Sequence, residues 1–126
     1  MLYQSGTLCA ESRAERHFAR STVNSALRSF EQKTTRLVAA IIGQLQPQTA
    51  AHCTIEQLLE LISTHPHLAP ETATLQRYCA AFPELDEATT QQQARALAQA
   101  RRHLAEALWP HHTARRFAYA KGYRAA

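Results

Sequence analysis

Apolar residues return every three or four positions along "TVNSALRSFEQKTTRLVAAIIGQL". Val23, Leu27, Phe30, Leu37, Ile41 and Leu45 fall on one stripe of a helical wheel, with Thr34 filling its gap. Gly43 and then Pro47 supply a stop near Leu45. The preceding stretch, "TLCAESRAERHFAR", is also helix-like, but its Ala10, Ala14 and Phe18 lie on a different face. Two arrangements fit that offset. The helix breaks near Arg20 to Thr22, where Ser21 or Thr22 caps the next one, or a single long helix meets different neighbours at its two ends. The pattern favours a break or kink.

"QPQTAAHC" reads as a linker. Thr54 with Gln57 three residues on is a capping box, and Ile55, Leu58, Leu59 and Ile62 give the helix it opens a buried face. Pro66 and Pro70 end that helix, and Pro70 is placed to open the next. There Leu75, Tyr78, Cys79 and Phe82 share a side, and Pro83 stops it. Asp86 caps a last long helix with the stripe Ala94, Leu97, Leu104 and Leu108, broadened by Ala98 and Ala105 and closed by Trp109–Pro110. No alternating strand pattern occurs. The expected fold is all-α, an up-and-down bundle of four to five helices in residues 1–109, followed by a basic-aromatic tail, 110–126. Long antiparallel helices should form it, with 22–45 and 87–109 as the central pair and the two short helices covering one side.

Composition agrees. Three Gly in 126 residues, and much Ala, Leu, Gln and Arg, favour helix. No apolar run approaches the ~20 residues that span a bilayer, and no leader-like apolar stretch opens the chain. Cys9, Cys53 and Cys79 are odd in number and far apart, which suits buried thiols in a reducing cytoplasm. The net charge of +4 has an address: through Glu106 the ten Lys or Arg match the ten Asp or Glu, and Arg115, Arg116, Lys121 and Arg124 follow with no acid. In the tail these cations mix with Phe117, Tyr119 and Tyr123, a combination that holds phosphate and stacks on RNA or DNA bases. A solvated or partner-docked end is the plainer reading.

Candidate chemistry is sparse. Arg101 sits between Leu97 and Leu104 on the apolar side of its helix, so either its stem packs on the bundle and its head reaches water or a carboxylate, or it serves an anion site. Arg13, Arg16 and Arg20 share a face, which Arg28 extends only if the helix is continuous; Glu11 and Glu15 dilute the row, so it reads as a solvated face, with phosphate binding as the alternative. None of the seven His has metal-ligand spacing, so no metal or other cofactor is expected. His52 reads as a loop residue before the cap. No phosphate loop or nucleophile elbow is present, and neither Cys53 nor Cys79 has a visible base.

Three segments, "HCTIEQLLELI", "LQRYCAAFPELDEAT" and "QARALAQARRHLAEAL", with "FEQKTTRLVAAII" before them, together resemble the HEPN superfamily of small helical bundles over residues 22–109. They are similar, in turn, to that family's His-Ser/Asp-Leu-xx-Leu-Leu segment, its helix ending in Tyr-Pro and an acidic cap, its closing Ala-rich helix and its Glu-Lys-containing second helix. The resemblance implies a homodimer that binds nucleotide or RNA, or partners a nucleotidyltransferase. Ribonuclease members carry Arg, four to six residues, then His. "RAERH", Arg13 to His17, has three between and lies in the wrong helix, which removes the main reason to expect RNA cleavage and leaves the non-catalytic members as the expectation. The residues expected to bind ligand are Arg101, His52, Arg115 and Arg116. The alternative is a protein-interaction or scaffold bundle with no small-molecule ligand.

Overall fold

In the computed structural model the backbone is described for residues 2–120 and side chains for residues 13–112. Arg115, Arg116 and Cys9 therefore lie outside the residues whose side chains are described. Among the described residues five α-helices follow one another: α1 (Leu2–Gln44), α2 (Pro47–Ala50), α3 (Ile55–Ser63), α4 (Ala69–Ala81) and α5 (Asp86–Ala120). Single 3₁₀ turns at Pro66–Leu68 and Pro83–Leu85 lead into α4 and α5. No strand occurs among the described residues, so the expected all-α class is observed.

The break expected near Arg20 to Thr22 is absent, because α1 is one helix of 43 residues, about 64 Å long. The reason is Ala19. It is fully buried and extends the stripe of Val23, Leu27, Phe30, Thr34 and Val38 backwards by one turn. The face carrying Ala14 and Phe18 is a second, outward face of the same rod, and Phe18 stays 64% exposed. The end expected at Trp109–Pro110 is also absent: α5 runs through Pro110 to Ala120, and His112 Nε2 meets the Ala50 carbonyl at 3.1 Å.

Contacts fix the directions of the rods. Arg20 to Leu27 of α1 lie beside Ala88 to Gln92 of α5, and Glu31 to Val38 lie beside Ala96 to His103. Both numbers rise together, so α1 and α5 are parallel. The expectation of antiparallel long helices is corrected. The antiparallel rod is the returning one: Lys33 of α1 reaches Glu71, while Phe18 meets Tyr78. Thus α1 rises, α3 and α4 descend as one jointed rod, and α5 rises again. The short helices cover one side, as the pattern implied.

Among the described residues two apolar clusters fill the interior. The larger joins Phe30 and Val38 of α1, Leu58 and Ile62 of α3, and Ala96, Ala100, Leu104 and Leu108 of α5. Each of the fully buried Leu104 and Ile62 contributes about 2–3 kcal/mol relative to exposure. The smaller cluster joins Ala19, Val23 and Leu27 to Leu75 and Leu85. The buried stripe of α5 is Ala96, Ala100, Leu104 and Leu108, and Ala94 and Ala98 face solvent. The small Ala96 and Ala100 let α1 approach where Thr34 and Val38 sit.

The joint of the returning rod is tied locally. Thr54 Oγ1 accepts from the Gln57 N–H at 3.1 Å, and Gln57 Oε1 accepts from the Thr54 N–H at 3.1 Å, completing the expected capping box. The His65 ring accepts the His67 N–H through Nδ1 at 3.1 Å, and the two imidazoles stack with centroids 5.1 Å apart. Lys33 Nζ donates to the His67 carbonyl at 3.0 Å and to the buried Glu71 carboxylate at 2.5 and 3.0 Å. A carboxylate removed from water needs such a counter-charge.

Candidate functional site

Because α1 is unbroken, its Arg row runs down to the α5 seam and is divided there. Arg16 Nε pairs with Glu84 Oε1 at 3.3 Å across the foot of the bundle. Arg20, one turn on, lines a pocket of about 200 Å³ between α1 and the first turns of α5. Asn24 stands four residues after Arg20 on the same flank, while Gln92 and Thr89 are three apart on α5. Val23, Leu27 and Leu85 form an apolar floor, and all three are buried. Glu84 closes one end, its charge already engaged by Arg16. Arg20 makes no ion pair with any described residue.

This lining suits binding. A guanidinium offers a planar fork of donors, which matches the oxygens of phosphate or carboxylate. Two carboxamides offer both donors and acceptors, and the Thr89 hydroxyl adds one more polar group. No His or Cys lines the pocket, and its one carboxylate is paired, so it holds no nucleophile with a free base.

The residues expected from sequence lie elsewhere. Arg101 is exposed on α5, and its Nη2 donates to Glu56 Oε1 in the first turn of α3 at 2.8 Å. The Glu56 carboxyl is held below its ordinary value of 4.5, first by its own backbone N–H at the helix start and then by Arg101. His52 is exposed in the turn before Thr54, where its backbone N–H donates to the Thr49 carbonyl at 3.0 Å. Arg101 and His52 thus flank the start of α3. Arg13 and Arg28 are exposed. Cys53 and Cys79 are half-buried and free, rather than fully buried. No group of three His, Cys, Asp or Glu converges among the described residues, and no helix there is long and apolar enough to cross a membrane.

Asn24, Gln92 and Thr89 line the pocket and belong to no motif in the sequence. Their one signal was a polar position repeated beside an apolar stripe on two helices, which becomes a pocket only when the helices are parallel and in this register. Compared with known proteins, the chain matches no family model, no curated protein and no solved structure.

Proposed function

We propose that the chain is a non-catalytic helical binding module that takes a phosphate-bearing ligand in the α1–α5 pocket at Arg20. The observation that supports this is the meeting of an ion-pair-free guanidinium with the Asn24 and Gln92 amides over a buried apolar floor. The HEPN-like resemblance adds the ligand class, a nucleotide, and two associations: a second copy of the chain and a nucleotidyltransferase partner. Arg101 and His52 form a separate polar corner, and Arg115–Arg116 carry the tail's part of the proposal.

Thermal-shift titration with a nucleoside triphosphate and with inorganic phosphate tests the reading, on wild type, Arg20→Ala and Arg101→Ala. The expected result is stabilisation of wild type and Arg101→Ala that is lost in Arg20→Ala and weakens steeply with salt. Equal responses in wild type and Arg20→Ala would remove the pocket from the account.

A second reading, an interaction bundle with no small ligand, draws on the exposure of Phe18, Leu61 and Trp109. Phe18 stands beside Tyr78 and Phe82 in an open apolar groove that Ala14 and Glu15 also line. Salt-insensitive association, with no nucleotide response in any variant, would favour this class.

A further inference from the structure

The flank of α5 turned toward α4 carries a second pocket, of opposite charge to the first. Thr72, Gln76 and Cys79 of α4 meet Asp86, Thr89 and Gln93 of α5 around a space of about 110 Å³, and Leu75 adds an apolar wall. Leu75 and Thr89 are buried. No Lys, Arg or His lines the space, so the one charge in its lining is the Asp86 carboxylate.

Two of these polar groups are unengaged. The cap expected of Asp86 is not made: its backbone is already helical, with φ −66° and ψ −46°, and its carboxylate has no hydrogen bond or ion pair with any described residue. The Thr89 side chain also makes no hydrogen bond with a described residue, although Thr89 is only 3% exposed. A polar group withdrawn from water without a partner is costly, and native proteins rarely leave one so. An ionised carboxylate only accepts hydrogen bonds, and the hydroxyl and carboxamide oxygens of Thr72, Gln76 and Gln93 are further acceptors. The positive start of α5 is offset by the negative end of α4 beside it, which has no basic residue in its last turn.

We propose that this pocket binds the ammonium end of a small primary amine. Asp86 supplies the counter-charge, and the Thr89 hydroxyl and the Gln93 carboxamide oxygen accept the other N–H donors. The first methylenes of the amine lie against Leu75 and Cys79. One carboxylate matches one positive charge, and the apolar wall suits an alkyl chain better than a hydrated metal ion. The space holds only the end of a molecule, since pockets for whole drug-sized ligands begin at about 300 Å³. Thr89 lines the Arg20 pocket as well, whereas Asp86 and Gln93 line this one alone. The claim does not depend on what the Arg20 pocket binds.

NMR titration with n-butylammonium chloride tests it, with n-butanol and potassium chloride as controls, on wild type, Asp86→Asn, Gln93→Leu and Arg20→Ala. The expected result is a saturating shift of the Gln76 and Gln93 side-chain amides with butylammonium, in wild type and Arg20→Ala alike, and none with either control. Asp86→Asn should bind at least tenfold more weakly, and Gln93→Leu, which leaves the carboxylate in place, should weaken binding too. No saturating shift in wild type overturns the proposal. An equal response to butanol or to potassium chloride does so as well, since the pocket would then read the alkyl chain or the charge alone. These wild-type comparisons decide the matter even if a variant fails to fold. Unchanged affinity in folded Asp86→Asn, or shifts centred on Asn24 and Gln92 instead, would overturn it equally.

Discussion

Arg101 of α5 donates to Glu56 Oε1 of α3 at 2.8 Å, so its guanidinium already carries a carboxylate. Both side chains are more than half exposed, which makes the contact a surface clasp between helices and a weak one. The Glu56 carboxyl is held below 4.5 mainly by its own backbone N–H, with Arg101 second. A depressed carboxyl stabilises the fold above its unfolded value, and that contribution is lost as pH falls through the folded one. Arg101→Ala should therefore raise the Glu56 titration midpoint only part of the way toward 4.5, as followed by carboxyl NMR. Glu56→Gln should flatten the fall in stability on the acid side of 4.5 and change little at neutral pH. A midpoint restored fully by Arg101→Ala would show that the helix start contributes nothing.

The Lys33–Glu71 pair is of another kind. Glu71 is buried and Lys33 is about one-third exposed, with a further bond to the His67 carbonyl. Lys33→Met should cost about 2–3 kcal/mol, somewhat less than the ~3–5 of a fully buried pair, because solvent still reaches the site. Adding Glu71→Leu should recover much of that loss, since the stranded carboxylate would be gone. Urea unfolding of the two single variants and the double variant gives the coupling. Additive losses would mean that the ion pair does not hold the joint between α3 and α4.

Continuity of α1 can be tested at Ser21, which is exposed. Ser21→Pro in an unbroken helix removes an N–H bond and clashes with the preceding turn, at about 3 kcal/mol or more. At a break, the same change would be nearly neutral. Chemical denaturation with circular dichroism distinguishes the two.

Thr54→Ala removes the hydroxyl that accepts the Gln57 N–H and should cost about 1 kcal/mol. Thr54→Ser should cost much less, since it keeps the acceptor. Equal losses in the two variants, measured by thermal melting, would point to the Thr54 methyl and away from the cap.

Much of this fold was legible because its helices are written locally. Thr54 and Gln57, the stripe from Val23 to Leu45, and the prolines at 66, 70 and 83 each act within a few residues. What was not legible depends on distant partners. The outward Phe18 looked like evidence for a break because its neighbour Tyr78 lies 60 residues on, whereas the inward Ala19 is too small to stand out in a pattern. Arg101 looked uncomfortable on a wheel because the wheel does not contain Glu56. Arg20 looked like one of a solvated row until α5 was placed beside it, parallel, with Gln92 facing the same pocket.

The most direct measurement is an amide NMR titration of the protein with a nucleoside triphosphate. Side-chain signals of Asn24 and Gln92 and the Arg20 Nε–H should move first and saturate together, with the start of α3 undisturbed. Shifts confined to the Glu56–Arg101 corner, or no shift at millimolar ligand, would contradict the assignment of the α1–α5 seam as the binding site.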